Sequence, residues 1–251
     1  MDVSAPVGLA SKGYGQGVTV ADHDGDGDPD VYATRHGPNT PWRNDGGTFV
    51  DATTEAGVAR GLRSLGAAFA DLDLDGHLDL VATNGHIRRE PGQLHPHEDP
   101  PILWHNDGQG RFTAANAGAG PYFASKRIGR GLAAGDLDGD GDLDLVHHHE
   151  PSVVLWNETP RRGRWLSVRL RGRAPNLDAI GARLVATVGP RRIVRTVDGG
   201  GGYLSSDDRR VHFGLGPADR VDALEVRWPS GQVEVRRDLP IDAAIDRAEE
   251  D

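Results

Sequence analysis

Asp136-Leu137-Asp138-Gly139-Asp140-Gly141-Asp142-Leu143-Asp144 sets five carboxylates within nine residues. Two other stretches share its pattern, Asp22-His23-Asp24-Gly25-Asp26-Gly27-Asp28-Pro29-Asp30 and Asp71-Leu72-Asp73-Leu74-Asp75-Gly76-His77-Leu78-Asp79. All three read D-x-D-x-D-G-x-x-D, and an apolar run follows each: Val31-Tyr32-Ala33, Leu80-Val81-Ala82 and Leu145-Val146. Carboxylates at this density repel one another unless a cation sits among them. Oxygen donors at alternate positions, with a glycine for the sharp turn, form the donor set that calcium takes. Side-chain ligands are expected at loop positions 1, 3, 5 and 9: Asp22, Asp24, Asp26, Asp30; Asp71, Asp73, Asp75, Asp79; Asp136, Asp138, Asp140, Asp144. The main-chain carbonyl at position 7, from Asp28, His77 and Asp142, is expected to join them. An EF-hand is excluded, because it needs a bidentate Glu at position 12 and flanking helices. Position 12 is Ala33, Ala82 and His147, and the flanks are short β-type runs. Solvated acidic turns without metal are the bland alternative, against which three copies in one register argue.

The loop is one landmark of a longer repeat. A Gly-rich approach precedes each copy: Gly15 to Ala21, Gly66 to Ala70 and Gly129 to Gly135. Each copy is followed by a strand, a connector and a second strand ending in Asn: Trp42-Arg43-Asn44, Trp104-His105-Asn106 and Leu155-Trp156-Asn157. An aromatic, Phe49, Phe112 and for the third copy Trp165, then opens a last strand. About four short strands per unit is a propeller blade by period and content. The units resemble the FG-GAP or VCBS repeats of integrin-like β-propellers over roughly residues 1–160. That resemblance implies a calcium ion in an inter-strand loop of each blade, with a mainly structural role, on the same twelve Asp side chains.

From Trp165 the pattern changes to alternating strands: Trp165 to Leu170, Ala182 to Val188, Leu224 to Trp228 and Val233 to Val235. Asn176 to Arg183, Gly199 to Ser206, His212 to Gly216 and Trp228-Pro229-Ser230-Gly231 together resemble the ASPIC/UnbV domain, which commonly follows FG-GAP-type repeats. The expected fold is all-β: a partial, open or truncated β-propeller of about three blades, then a small antiparallel β domain. The boundaries are 1–160 for the repeats, 161–237 for the ASPIC/UnbV-like domain, and 238–251 for an acidic tail with a weak helical pattern. Propellers need about four blades to close, so unpaired strand edges are expected, with self-association through them.

The net charge is −10, from 38 acids and 28 bases. The three loops hold 5, 4 and 5 Asp, so the rest of the chain has 24 acids against 28 bases. The acidity therefore resides in the loops. Arg is scattered rather than clustered with aromatics, so no nucleic-acid partner is expected. There is no cysteine, hence no disulfide or thiolate chemistry. No apolar run approaches membrane length, so membrane insertion is not expected. The start of the chain as given lacks a signal-peptide pattern, while the resemblance implies an extracellular or periplasmic setting.

Catalytic motifs are weak. The four glycines from Gly199 lack the Lys-Ser/Thr of a phosphate loop and read as a tight connection. No G-x-S-x-G elbow is present, and Asp207 and Asp208 near Ser205 read as turn residues. Trp42, Trp104 and Trp156 read as blade packing rather than a sugar-stacking set. The connectors carry His36, then His86, His95 and His97, then His147-His148-His149-Glu150. Polar loop residues are the ordinary reading of these; a transition-metal surface on one face is the sharper one. Function is thus expected to be that of a calcium-binding, non-catalytic module for a protein or glycan partner. The alternative is a metal-dependent enzyme or maturation factor that uses the His-rich face.

Overall fold

The computed structural model describes residues 1–10, 13–58, 63–86, 98–148 and 151–250. Among them the helical pieces are two 3-10 turns, Asn116–Gly118 and Pro121–Ala124. The first sheet takes β1 (Gly15–Ala21), β2 (Asp30–Arg35), β3 (Thr40–Asp45) and β4 (Thr48–Asp51) in chain order, all antiparallel. The second repeats it with β5 (Ser64–Ala70), β6 (Asp79–Asn84), β7 (Ile102–Asn106) and β8 (Phe112–Ala114). The third holds β9 (Leu132–Gly135), β10 (Asp144–His147) and β11 (Val153–Leu155). Each aspartate motif joins the first strand of its sheet to the second, so all three loops emerge at one end.

Two more sheets follow. β12 (Arg164–Arg171) lies between β15 (Val211–Gly216) and β18 (Ala243–Ala248). β13 (Arg183–Val188), β14 (Arg191–Thr196), β16 (Val221–Arg227) and β17 (Val233–Leu239) pair in the order β14-β13-β16-β17. The β-propeller arrangement thus has five blades, not about three, because the segment read as a separate small domain supplies two of the sheets. Trp165, expected to open the last strand of the third repeat, instead lies in β12 and pairs with Gly214 of β15. Within the stretch from Leu239 onward, expected to be weakly helical, Ala243–Ala248 forms β18, and its pairing with β12 is parallel. The physical reason is a period of two: Ala243, Ile245 and Arg247 are half-buried while Ala244, Asp246 and Ala248 face out. Ile245 packs on the core shared by the last two sheets.

Strand alternation also divides the cores between the repeat sheets. On β5, Ala67 packs with Tyr32, Leu80, Trp104 and Phe112, whereas Ala68 and Ala70 pack with Leu132, Ala134 and Leu145. Small residues on this strand let neighbouring sheets approach. A Cβ on Gly66 would lie 2.4 Å from the Arg130 carbonyl. Thr34 and Thr83 donate through Oγ1 to Leu65 and Arg130 carbonyls of the next sheet, at 2.6 and 2.8 Å.

The gap that an open arc would leave between β1 and β9 is filled by the Gly-rich connector. Gly202 N–H donates to the Val18 carbonyl of β1. Asp208 N–H donates to the Ala134 carbonyl, and Ser205 Oγ and Asp207 Oδ1 accept from the N–H groups of Leu132 and Ala134 in β9. Gly202 has φ +72°, and a Cβ there would lie 2.8 Å from the Ala67 carbonyl of β5, so only glycine passes between the three strands. Asp207 and Asp208, read as turn residues, are the anchors of this closure.

Trp42 and Trp104 are buried as expected, but Trp156 stands 57% exposed. It sits one residue out of register: Leu155, not Trp156, precedes Asn157 by the same two positions as Trp42 precedes Asn44. Trp104→Ala is expected to cost about 3–5 kcal/mol by cavity formation. Trp156→Ala should stay within about 0.5 kcal/mol. Denaturant midpoints of the two variants check the difference.

Candidate metal loops

In all three loops the position-9 Asp is an anchor. Asp30 accepts from the N–H of His23 and of Asn44, at 3.0 and 2.8 Å. Asp79 accepts from Leu72 and Asn106, and Asp144 from Leu137 and Asn157, in the same way. Each loop is thereby tied to the Asn at or just past the end of its third strand. The Asn side chain extends the tie to the preceding sheet. Asn106 Nδ2 donates to the His23 carbonyl in the first loop, and Asn157 Nδ2 to the Leu72 carbonyl in the second.

The inner carboxylates hold the turn itself. Asp22 accepts from Gly25 and Gly27, Asp136 from Gly139, and Asp71 from Gly76. Donor atoms within 4.8 Å of one another are offered by Asp22, Asp24 and Asp26 and by His23, Asp24 and Asp30 in the first loop, and by Asp136, Asp138 and Asp144 in the third. The second loop differs. Its compact group is Asp73, Asp75 and His105. Asp71 is turned against Gly214 of β15, with Oδ1 buried and without a hydrogen bond. Position-7 side chains face away from the loop centres: Asp28 accepts from Gly46 N–H, His77 covers Gly108, and Asp142 pairs with Arg161.

The sequence matches two family models. The model described as FG-GAP-like repeat covers residues 22–82 and 96–147, and the model described as ASPIC and UnbV covers 172–251. This chain joins FG-GAP-like repeats to an ASPIC and UnbV segment. It is 30% identical to cartilage acidic protein 1 of Xenopus tropicalis, over 94% of this chain and 45% of that protein. It is 28% identical to the human protein of that name, over 92% of this chain and 43% of the relative. The chain spans less than half the length of these curated relatives.

The ASPIC and UnbV segment docks on the FG-GAP-like loops through side chains. Arg183 donates to the Gly27 carbonyl at 3.2 Å, Arg191 to Asp75 at 3.0 Å and Arg210 to Asp136 at 2.7 Å, one arginine for each loop. His212 Nε2 bonds the Gly141 carbonyl, and Trp165 stacks on His212 against Gly141. Burial lowers the pKa of Arg195, and the neighbouring Asp71 and Asp22 charges only partly offset it. These same elements line a cavity of about 610 Å³ between the loops and β14 and β15. Nothing local in the sequence marks these contacts. His105 was also missed as a donor, although it stands directly before a landmark Asn. His23 points inward between Phe69 and Phe112, where burial lowers its pKa.

The histidine connectors lie past the second strands, at the end opposite the loops. His36 and His86 meet edge to face, with centroids 5.7 Å apart. His147 turns inward and contacts Tyr122, while His148 faces out and bonds Ser152. His95, His97, His149 and Glu150 lie outside the described residues.

Burial pushes the carboxyl pKa of Asp22, Asp30 and Asp79 up to about 6, and that of Asp71 up to about 8. An unfolded Asp loses its proton near about 3.9. Between these limits the folded chain holds more protons than the unfolded one, so stability falls as pH rises. Chelator-treated protein should therefore show its highest thermal midpoint near pH 4–5 and lose stability progressively to pH 8. A midpoint that rises over this interval would contradict the burial of uncompensated carboxylates.

Proposed function

We propose that the chain is a calcium-stabilised, non-catalytic binding or scaffold module. The observation that carries this reading is the convergence of all-oxygen donor groups in the first and third loops, each held by the loop's own N–H groups and locked to a strand-ending Asn. Hard oxygen donors in a glycine turn suit calcium rather than a softer ion. Asp22, Asp24, Asp26 and Asp30 would hold one ion and Asp136, Asp138, Asp140 and Asp144 another, with main-chain oxygen from Asp28 and Asp142. Asp71, Asp73, Asp75, Asp79 and the His77 carbonyl form the weaker fit, because Asp71 is drawn toward β15. The cation supplies charge neutralisation: it offsets the cost of ionising carboxylates such as Asp22 and Asp30, whose pKa burial raises. Binding free energy then becomes folding free energy.

The name of the relatives refers to cartilage, which supports an extracellular setting for this chain and a protein or glycan partner. The Arg contacts to all three loops couple loop order to the seating of the C-terminal sheets. A partner site spanning both parts would then require calcium.

Calcium titration of chelator-treated protein by calorimetry tests the reading. Calcium should raise the thermal midpoint, most strongly near pH 8, where the buried carboxylates cost most. Asp24→Ala and Asp138→Ala should each remove one site. Asp142→Ala should retain its site, since its side chain is engaged by Arg161 and only its main-chain oxygen is assigned to the ion. Equal loss from Asp138→Ala and Asp142→Ala, or a midpoint indifferent to calcium, would refute the proposal.

A further inference from the structure

We propose that the cavity between the loops and the C-terminal sheets binds a small α-amino acid with an aliphatic side chain. Arg195 on β14 is the first reason. Arg183, Arg191 and Arg210 each cap a loop carbonyl, but Arg195 does not. Its Nη1 donates to the Val194 carbonyl of its own strand at 2.9 Å, while Nε and Nη2 are buried and bond nothing. Those two N–H groups lie along one edge of the guanidinium, the fork that takes both oxygens of a carboxylate. Buried charged donors without acceptors are costly, so a carboxylate entering beside Arg195 relieves two of them at once.

The acceptors are the second reason. His212 Nε2 bonds the Gly141 carbonyl at 2.8 Å, so that nitrogen carries a proton. Burial lowers the pKa of His212 to about 4, so the ring is neutral and Nδ1 holds a lone pair. That Nδ1 is buried and has no donor. Asp71 Oδ1 is in the same condition, since only its other oxygen takes the Gly76 N–H. The Arg195 charge acts on both His212 and Asp71, so the three groups are neighbours. All three line the cavity. A simple carboxylate would satisfy the arginine and leave the acceptors idle. A molecule with a carboxylate and an ammonium on adjacent atoms serves both sets, and its zero net charge suits a site that holds charges of both signs.

The walls are the third reason. Val18, Val20, Phe69, Leu78, Leu143 and Val194 line much of the remaining space, which totals about 610 Å³. Small-molecule sites span roughly 300–1,000 Å³ and combine apolar walls with a few convergent polar groups. Among the described residues no Trp lines the cavity, so the broad platform for a sugar ring is missing. Val18 and Val20 are 51% and 46% exposed, so the cavity admits solutes beside β1.

The full chain, in excess calcium, is titrated by calorimetry with leucine, with 4-methylpentanoate, which lacks the ammonium, and with 3-methylbutylamine, which lacks the carboxylate. Leucine should bind one per chain, and each analogue should bind about 10-fold more weakly or worse. Arg195→Gln should weaken leucine by a similar factor. Val20→Trp should abolish binding by filling the mouth; because Val20 is half exposed, this variant keeps the fold, as an unchanged thermal midpoint verifies. Absence of saturable leucine binding would overturn the proposal and leave the cavity to water or to a direct Arg195–Asp71 pair. Equal affinity for the analogues, or binding untouched by Val20→Trp, would overturn it too. Calcium stoichiometry, measured separately, decides the calcium reading whichever way the leucine titration falls.

Discussion

Everything at the loop end of this molecule depends on one carboxylate per repeat accepting two main-chain N–H groups, one from its own loop and one from the Asn at or just past the end of the third strand. Asp30, Asp79 and Asp144 do this with Asn44, Asn106 and Asn157. Charge-assisted bonds of this kind are stronger than neutral ones, and these are buried, where a lost partner costs most. They set the height at which each loop leaves its sheet. The Asn side chains then carry that setting to the neighbouring loop, so the three loops behave as one connected rim.

The rim is acidic and irregular, and an irregular buried backbone needs its carbonyls satisfied. The C-terminal sheets answer that need. Arg183, Arg191 and Arg210 each cap one loop carbonyl, and Arg161 pairs with Asp142 and reaches the Asp140 carbonyl. Guanidinium suits this position because it offers several donors in a fixed plane and keeps its charge when partly buried. The predominance of Arg over Lys in the chain is thus functional in the fold, at least at these four positions. Closure of the ring by Gly202 to Asp208 adds main-chain bonds to the same interface, so the C-terminal segment is bound both along the inner strands and across the loops.

The repeat unit was legible because its signals are local. The Asp spacing, the glycine before each inner strand and the terminal Asn lie within about fifty residues of one another, and the structure makes of them one sheet each. Trp42 and Trp104 followed from the same register. What could not be read was long-range. Nothing local to Trp165 says that it will face Gly141 instead of closing the third repeat, and nothing local to Ala243–Ala248 says that a short run with an acidic end will pair in parallel with β12. The four glycines read locally as a tight connection, yet the passage of Gly202 between β1, β5 and β9 needs three distant strands to be in place first.

The second loop shows why repeat logic alone misjudges a site. By spacing it equals the other two, and its carboxylates stand at the same positions. Its surroundings do not repeat. Gly214 of β15 packs directly on Asp71, and a Cβ there would lie 1.9 Å from Asp71 Oδ2. This close approach buries the position-1 carboxylate and pushes its pKa furthest of the aspartates here. Across the loop, His105 and Arg162 gather on Asp73 from outside. The compact donor group of this loop is thereby Asp73, Asp75 and His105, on the side away from Gly214. The docking of a neighbouring sheet thus decides how deeply this loop's first carboxylate is buried, which the Asp spacing alone does not.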